Sequence, residues 1–114
     1  MSTETDIVDA QLEAFRDRDV ERFLSHYAAD ASVVTFDGTA IFGSIEAMRE
    51  AYGQLFTDSP DLQVTIATRM TSGEFVVDEE HLSGFRFGDM PTEMVSVAVY
   101  RVTGGKIARL MLAS

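Results

Sequence analysis

Four strands joined by short turns fill residues 62–112, and this succession restricts the fold more than any other feature of the sequence. β-Branched and aromatic residues, which are typical of strands, dominate these stretches, and glycine-containing turns separate them. Consecutive strands joined by short turns pair antiparallel, so the pattern predicts a mostly antiparallel sheet. The predicted strands are residues 62–70, 75–85, 92–102 and 107–112.

The first half of the sequence has the periodicity of helices. After Asp6, apolar residues recur every three or four positions, as on one face of a helix. A shorter helix follows the predicted N-cap Asp19 and carries Tyr27 on its apolar face, and a third helix follows the predicted N-cap Ser44. Residues 32–36, between the second and third helices, read as a strand.

This order of elements predicts an α+β fold. Three helices grouped early in the chain must cover one face of the sheet. A curved, mostly antiparallel sheet with helices across its concave face encloses a cone-shaped pocket, and such concavities are the usual sites of small ligands. No repeat or linker interrupts the chain, so we expect a single domain over residues 1–114.

The acidic composition limits the classes of partner. The chain has 19 acidic and 9 basic residues, for a formal net charge of −10. Such a surface repels phosphate backbones, so we expect no nucleic-acid partner. No apolar run is long enough to cross a membrane and the polar N-terminus does not resemble a signal peptide, so we expect no membrane association and a cytoplasmic location.

The sequence carries no signature of a cofactor or a metal. There is no cysteine, which excludes disulfides and thiolate ligands. The two histidines show no metal-ligand spacing. Gly104-Gly105 lies in a hairpin turn rather than before a helix, so it does not form a phosphate-binding loop. We therefore expect neither a cofactor nor a metal.

Residues 75–85 combine a strand pattern with charged side chains at the centre. Alternate residues of a strand point to opposite faces, so Glu79 and His81 share one face while Asp78 and Glu80 share the other. One of these pairs faces the interior, where polar groups are costly unless they serve a purpose. Apolar residues flank both pairs, so the residues alone leave open which pair faces inward.

Several local signatures resemble the nuclear transport factor 2-like superfamily, in particular its SnoaL-like and ketosteroid-isomerase-like branch. They are packing and turn features rather than catalytic motifs, and together they cover nearly the whole chain. The signatures are Arg-Asp-Arg-Asp at 16–19, Tyr-Ala-Ala-Asp-Ala-Ser-Val at 27–33, Gly43 with Ile45 and Met48, and Ala-Val-Tyr-Arg-Val-Thr-Gly-Gly-Lys-Ile at 98–107.

The resemblance implies more about the fold than about the reaction. The family includes isomerases, cyclases, dehydratases, epoxide hydrolases and non-catalytic binding modules, and a shared fold does not settle function. The resemblance also implies a homodimer formed through the outer face of the sheet. Ketosteroid isomerases would have their base aspartate at Thr35, their oxyanion-hole tyrosine near Gln11 and their protonated aspartate near Ala98. Thr35 and Ala98 carry no carboxyl group, so the chain resembles a relative without that machinery.

Three residues are candidates for acid–base catalysis. With the turn at Ser72-Gly73 aligned to the family, Glu79 and His81 face the pocket, where they could move protons near neutral pH. Asp37 ends the first strand and is the third candidate. The alternatives are that Glu79 and His81 only satisfy each other, that Asp78 and Glu80 are the inward pair, and that Asp37 only closes its turn.

The same alignment and the helical pattern predict the residues that contact a ligand. The tyrosines could present hydroxyls to the ligand, and the other side chains could line the pocket or simply fill the core. The predicted ligand contacts are Phe15, Phe23, Tyr27, Thr35, Tyr52, Phe56, Val77, Ser83, Ala98, Leu110 and Leu112.

These observations favour a protein that binds a small apolar or mixed-polarity molecule. One hypothesis is an enzyme that catalyses isomerisation, cyclisation or hydration with Glu79 and His81. The alternative is a non-catalytic ligand-binding or dimerisation module, and a third reading is an accessory domain that acts through its sheet surface.

Overall fold

Three helices pack across one face of a six-stranded sheet in the computed structural model, which describes residues 3–113. The helices are α1 (Thr3–Arg16), α2 (Val20–Leu24) and α3 (Ile45–Asp58). The predicted α+β class is confirmed. No helix within the described residues is long and apolar enough to cross a membrane.

Both predicted N-caps are present. The side chain of Asp19 accepts a hydrogen bond from the backbone N–H of Arg22 at 3.2 Å, and that of Ser44 accepts one from the N–H of Ala47 at 3.1 Å. Each cap satisfies an N–H group that the first turn of a helix leaves unpaired, which fixes where α2 and α3 begin. Helix α1 begins at Thr3, before the predicted start at Asp6.

The sheet is antiparallel except at one pair of strands. Its spatial order is β2-β1-β6-β5-β4-β3, and β1 and β6 run parallel to each other. The strands are β1 (Tyr27–Thr35), β2 (Ala40–Phe42), β3 (Gln63–Ser72), β4 (Phe75–Ser83), β5 (Met94–Thr103) and β6 (Lys106–Ala113).

The prediction that Tyr27 lies on a helix is wrong. Helix α2 ends at Leu24, and Tyr27 is the first residue of β1, opposite Ile107 of β6. The backbone N–H of Ile107 donates to the carbonyl of His26 at 2.8 Å. Pairing with a distant strand therefore overrides the helical pattern of this short segment.

Strand β4 presents the opposite face to the one that the resemblance implied. Asp78 and Glu80 are buried, at 0% and 7% exposed, whereas the side chains of Glu79 and His81 are 41% and 49% exposed. The prediction that Glu79 and His81 face inward is therefore wrong, because the register of β4 is shifted by one residue. The register follows from β5, where Ala98 lies opposite Asp78 on the inner face.

Strand β4 ends at a close contact between backbone segments. Gly84 has a φ of +67°, and a Cβ at this position would lie 2.2 Å from the carbonyl oxygen of Asp61. Only glycine fits this conformation and this contact. The glycine directs the chain into the loop of residues 84–93, whose Phe85 and Phe87 pack against the core.

Candidate functional site

A cavity of about 610 Å³ lies between the helices and the inner face of the sheet. This volume is typical of sites that enclose a small organic ligand. Most of the residues around it are apolar. They are Gln11, Leu12, Phe15, Phe23, Tyr27, Thr35, Phe36, Asp37, Ile41, Phe42, Ala51, Tyr52, Leu55, Glu80, Leu82, Phe85, Phe87, Met90, Met94, Ser96, Tyr100, Leu110, Leu112 and Ala113.

The cavity has an exposed mouth and a buried end. Phe36, Ile41 and Met90 surround the mouth and are among the exposed large apolar side chains of the chain. Gln11 and Tyr100 lie at the other end and are almost completely buried. A ligand would therefore enter past apolar side chains and meet polar atoms only at the deep end.

Most of the predicted ligand contacts line this cavity. They come from the inner faces of α1 and α3, from α2, and from the adjacent strands β1 and β6. The predicted contacts at the cavity are Phe15, Phe23, Tyr27, Thr35, Tyr52, Leu110 and Leu112, and the predicted catalytic residue Asp37 lies there as well.

Four predicted contacts do not reach the cavity. Val77 and Ser83 lie on the outer face of β4, for the same reason that Glu79 and His81 do. Phe56 is buried behind the wall, with its ring centroid 5.3 Å from that of Phe15. Ala98 is fully buried on the inner face of β5 and is not among the residues that line the cavity.

Glu79 and His81 contact each other on the outer face of the sheet. Nε2 of His81 lies 3.0 Å from Oε2 of Glu79, and the hydroxyl of Thr68 donates to Oε1 of Glu79 at 3.2 Å. The hydrogen bond with His81, followed by that with Thr68, lowers the pKa of Glu79. The two side chains satisfy each other in solvent, so they cannot act on a molecule in the cavity.

Asp37 lies at the mouth in a tight local arrangement. Its Oδ1 accepts hydrogen bonds from the hydroxyl of Thr35 and, at 3.0 Å, from the backbone N–H of Thr39. The hydroxyl of Thr35, followed by the N–H of Thr39, lowers the pKa of Asp37 to about 2. Asp37 is therefore an ionised carboxylate at neutral pH that also closes its turn, and its catalytic role stays a prediction.

The deep end of the cavity holds a chain of polar side chains that the sequence reasoning did not assemble. The hydroxyl of Tyr100 donates to Oε2 of Glu80 at 2.8 Å. Nε2 of Gln11 lies 3.2 Å from the hydroxyl oxygen of Tyr100, and the hydroxyl of Tyr27 donates to Oε1 of Gln11 at 3.1 Å. Residues from α1, β1, β4 and β5 thus meet in one buried network.

Burial controls the charge of Glu80. Desolvation raises the pKa of Glu80 to about 7, although the hydrogen bond from Tyr100 acts in the opposite direction. The negative charge of Asp78 raises this pKa further, and the positive charges of Arg69 and Arg16 lower it. A carboxyl group with a pKa near 7 exchanges its proton readily at neutral pH, which is the property of a general acid or base.

A partly buried ion pair, with its carboxyl group fully buried, lies beside Glu80 on the same face of β4. Nε and Nη2 of Arg69 donate to Oδ1 and Oδ2 of Asp78 at 2.7 and 2.9 Å, and Nη1 of Arg69 donates to Asp9 at 2.7 Å. This two-point pairing gives the fully buried carboxyl group of Asp78 a cation as its partner. Asp78 does not line the cavity, so it acts on Glu80 only through its charge.

Within residues 3–113 no group of three or more histidine and carboxylate side chains could hold a metal ion. The polar atoms at the cavity belong to carboxyl, hydroxyl and amide groups. Proton transfer and hydrogen bonding are the chemistry that such groups can perform.

One sequence signal could have located this network. On β5 the inner residues Ser96, Ala98 and Tyr100 alternate with the outer residues Val97 and Val99. A serine and a tyrosine on one side, against valines on the other, indicate which face meets a partly polar cavity. Combined with antiparallel pairing between β4 and β5, this alternation would have placed Glu80 inside.

Comparison with known families identifies one match. A family model of the SnoaL-like domain matches residues 8–110 of the chain. A search of curated proteins finds no match.

Solved structures share the fold. An uncharacterised cystatin-fold protein from Novosphingobium aromaticivorans is 24% identical, with a TM-score of 0.87 over 100% of this chain and 99% of that one. A computationally designed 17-OHP binder is 19% identical, with a TM-score of 0.83 and coverage of 100% and 92%. IdmH of Streptomyces antibioticus, a proposed polyketide cyclase, is 20% identical, with a TM-score of 0.76 and coverage of 96% and 90%. At these identities the likeness concerns the fold alone.

Proposed function

The chain belongs to the SnoaL-like domain family, and on that premise we propose that it is an acid–base catalyst acting on a small, largely apolar molecule. The reaction is an isomerisation, cyclisation or hydration that needs no cofactor. One observation carries the proposal: Glu80, a carboxyl group whose pKa is raised to about 7, lines an apolar cavity. Glu80 replaces Glu79 and His81 as the catalytic residue.

Glu80 would act first as a base and then as an acid. In an isomerisation, its carboxylate takes a proton from a carbon next to a carbonyl group, and the electron pair moves into an enolate. The protonated Glu80 then returns the proton to another carbon. The hydrogen bond from Tyr100 stabilises the carboxylate, so Tyr100 is a positioning residue that holds Glu80 in one orientation.

Two structural neighbours support occupancy of the cavity by a molecule of this kind. One is named as a binder of 17-OHP, and the other is described as a proposed polyketide cyclase. The alternative is that this chain binds such a molecule without transforming it. The predominantly apolar lining favours that alternative, because Glu80 and Asp37 are the only carboxyl groups among the described residues around the cavity.

Proton abstraction from 5-nitrobenzisoxazole tests the catalytic proposal without a known substrate. In this reaction a base removes the ring C–H proton and the N–O bond breaks, which gives a coloured cyanonitrophenolate. We expect saturable turnover that rises with pH through about 7, because the ionised form of Glu80 is the base. The Glu80→Gln variant should lose roughly 100-fold or more of this activity.

Glu79→Gln is the matched control, because it removes an equivalent carboxylate on the neighbouring, outward-facing residue. It should retain the activity of the unmodified chain. Equal activity of the Glu80→Gln variant and the unmodified chain would contradict the catalytic role of Glu80. Tight binding of the compound without turnover would favour the non-catalytic alternative.

We also propose that the outer face of the sheet forms a homodimer. Met70, Val77, Val99 and Met111 lie side by side on four adjacent strands and form an apolar row, here called the outer row. Met70 is 60% exposed, and nothing within the described residues covers it. Apolar surface of this kind is typical of a protein contact.

Sedimentation velocity tests the homodimer. Val99→Lys puts a charge in the middle of the outer row and should convert a dimer to a monomer, whereas Glu13→Lys on the exposed side of α1 should not. If the unmodified chain is a monomer, the homodimer proposal is contradicted. The outer face would then be available to a different partner, as the accessory-domain reading requires. Cytoplasmic location stays a prediction from the sequence.

A further inference from the structure

Asp37 is the exception to the apolar character of the cavity mouth. Exposed apolar side chains, among them Phe36 and Met90, surround it. The hydrogen bond from the hydroxyl of Thr35, followed by that from the backbone N–H of Thr39, lowers the pKa of Asp37 to about 2. Asp37 therefore places a negative charge at the entrance of the cavity, and the catalytic role proposed for Glu80 makes no use of this charge.

The local hydrogen bonds of Asp37 leave an acceptor for a bound molecule. The hydroxyl of Thr35 and the backbone N–H of Thr39 both donate to Oδ1. A carboxylate has about four acceptor positions on its two oxygens, so Oδ2 can accept from an N–H group of a ligand. No ion pair within residues 3–113 involves Asp37, so its charge has no cationic partner in this part of the chain.

The charges that a ligand meets at the cavity all have one sign. The described residues of the lining include the carboxyl groups of Asp37 and Glu80 and no lysine, arginine or histidine. The whole chain has a formal net charge of −10, and its long-range field attracts cations and repels anions. The electrostatics therefore favour a cation over a neutral molecule of the same shape, and a neutral molecule over an anion.

Phe36 adds a second group that attracts a cation. It precedes Asp37 in the chain, and both residues line the cavity. Phe36 is 55% exposed, and its ring contacts no other aromatic ring of the described residues. The face of an aromatic ring attracts an ammonium group. A positively charged nitrogen at the mouth can therefore interact with a carboxylate and an aromatic face together.

We propose that the cavity binds hydrophobic amines as ammonium ions, with the charged nitrogen at the mouth beside Asp37 and Phe36 and the apolar body inside. The chemical class is a primary, secondary or tertiary amine on an apolar ring system that fits within about 610 Å³. The nitrogen stays at the mouth because a charge that enters the apolar interior loses its hydration. The inference rests on the proposed function only in taking the cavity as the ligand site, and it does not require that the bound molecule react.

Fluorescence anisotropy titration with three anthracene compounds tests the inference. The compounds are 9-(aminomethyl)anthracene, 9-anthracenemethanol and 9-anthracenecarboxylate, which share one ring system and are a cation, a neutral molecule and an anion at about pH 7. Salt at about 0.15 M screens the long-range attraction of the net charge for the amine. Under these conditions we expect the amine to bind at least about 5-fold more tightly than the alcohol, and the carboxylate to bind most weakly.

The Asp37→Asn variant assigns the preference to the mouth. Asparagine keeps Oδ1 as the acceptor for Thr35 and Thr39, so the turn retains its hydrogen bonds while the negative charge is lost. The variant should bind the alcohol like the unmodified chain and the amine about 5-fold more weakly. Unchanged binding of the alcohol shows that the cavity has stayed intact.

Two further variants separate the aromatic contribution from a general effect of charge. Phe36→Leu keeps an apolar side chain but removes the aromatic face, so it should weaken binding of the amine by about 2-fold. Glu79→Gln is the matched control, because it removes one negative charge on the outer face of the sheet. It should change the affinity for none of the three compounds.

Equal affinity for the amine and the alcohol, or a preference for the amine that Asp37→Asn leaves unchanged, would overturn the inference. Loss of the preference in Glu80→Gln rather than in Asp37→Asn would place the ammonium group at the deep end and would overturn it as well.

The inference and the catalytic proposal fail separately. Binding of the alcohol without a preference for the amine would contradict the inference and leave the cavity as a ligand site. Absence of turnover of 5-nitrobenzisoxazole, with the preference for the amine intact, would contradict the catalytic proposal only.

Discussion

The two faces of β4 place similar groups in opposite environments. On the inner face, Asp78 and Glu80 are buried between the helices and the sheet. On the outer face, Glu79 and His81 lie half exposed and contact each other. Burial raises the pKa of Glu80 to about 7, while hydrogen bonds from His81 and Thr68 lower the pKa of Glu79. Two adjacent glutamates therefore differ in charge near neutral pH because of their surroundings alone.

The comparison also shows what a buried carboxylate needs. Arg69 donates to both oxygens of Asp78 and so supplies this buried carboxyl group with a cation. Glu80 has one hydroxyl donor and no cation in contact, and burial raises its pKa to about 7. Position within the network, rather than residue type, separates a structural ion pair from a group that exchanges protons.

Removal of Arg69 should have the largest effect on stability. Arg69→Met leaves Asp78 buried without its cation, and we expect the free energy of unfolding to fall by about 3–5 kcal/mol. Urea denaturation measures this loss. The double variant with Asp78→Asn should recover part of it, because the unpaired charge is then gone. A loss below about 1 kcal/mol in the single variant would mean that the ion pair of Arg69 and Asp78 contributes no more than an exposed ion pair.

Glu80→Gln should remove a pH dependence of the free energy of unfolding, and this effect should be intermediate in size. The folded-state pKa of Glu80 lies above its ordinary value of 4.5, so the folded protein keeps a proton that the unfolded chain releases as the pH rises. The stabilising contribution of Glu80 is therefore complete below about pH 4.5 and is lost as the pH rises through 7, a loss of about 3 kcal/mol relative to Glu80→Gln. Parallel urea titrations of the two proteins from acid to neutral pH measure the difference. Curves that stay parallel would show that Glu80 has the same pKa in the folded protein as in the unfolded chain.

Changes on the outer face of β4 should have the smallest effect. We expect Glu79→Gln and His81→Ala each to change the free energy of unfolding by no more than about 0.5 kcal/mol, because exposed ion pairs contribute little. Thermal denaturation at neutral pH is a sufficient measurement. A loss comparable to that in Arg69→Met would mean that the proposed homodimer contact extends over Glu79 and His81.

The sequence determined the fold more fully than the site. Glycine turns, helix caps at Asp19 and Ser44, and strand periodicity specified the elements, because each of these signals is local. The local pattern wrongly predicts a helix at Tyr27, because the strand conformation of Tyr27 depends on pairing with Ile107, which lies far away in sequence. Local propensity contains no information about that contact.

The location of the site depends on which face of β4 is buried, and hydrophobic periodicity does not determine that face. A shift of one residue in a strand exchanges its two faces, and apolar residues flank both charged pairs on β4. The neighbouring strand resolves this choice, since Glu80 lies opposite Ser96. Gln11 and Tyr100 belong to the site because of hydrogen bonds between distant parts of the chain, which the local sequence pattern does not reveal.

The place of β6 within the sheet has a consequence for synthesis. In the sequence β6 follows the other five strands of the described residues, but in the sheet it lies between β1 and β5. During translation the hairpin of β1 and β2 therefore has no neighbour on that side until β6 has left the ribosome. The exposed edge of β1 can pair with other nascent chains during this interval, so chaperone dependence and aggregation should follow the rate at which β6 is made.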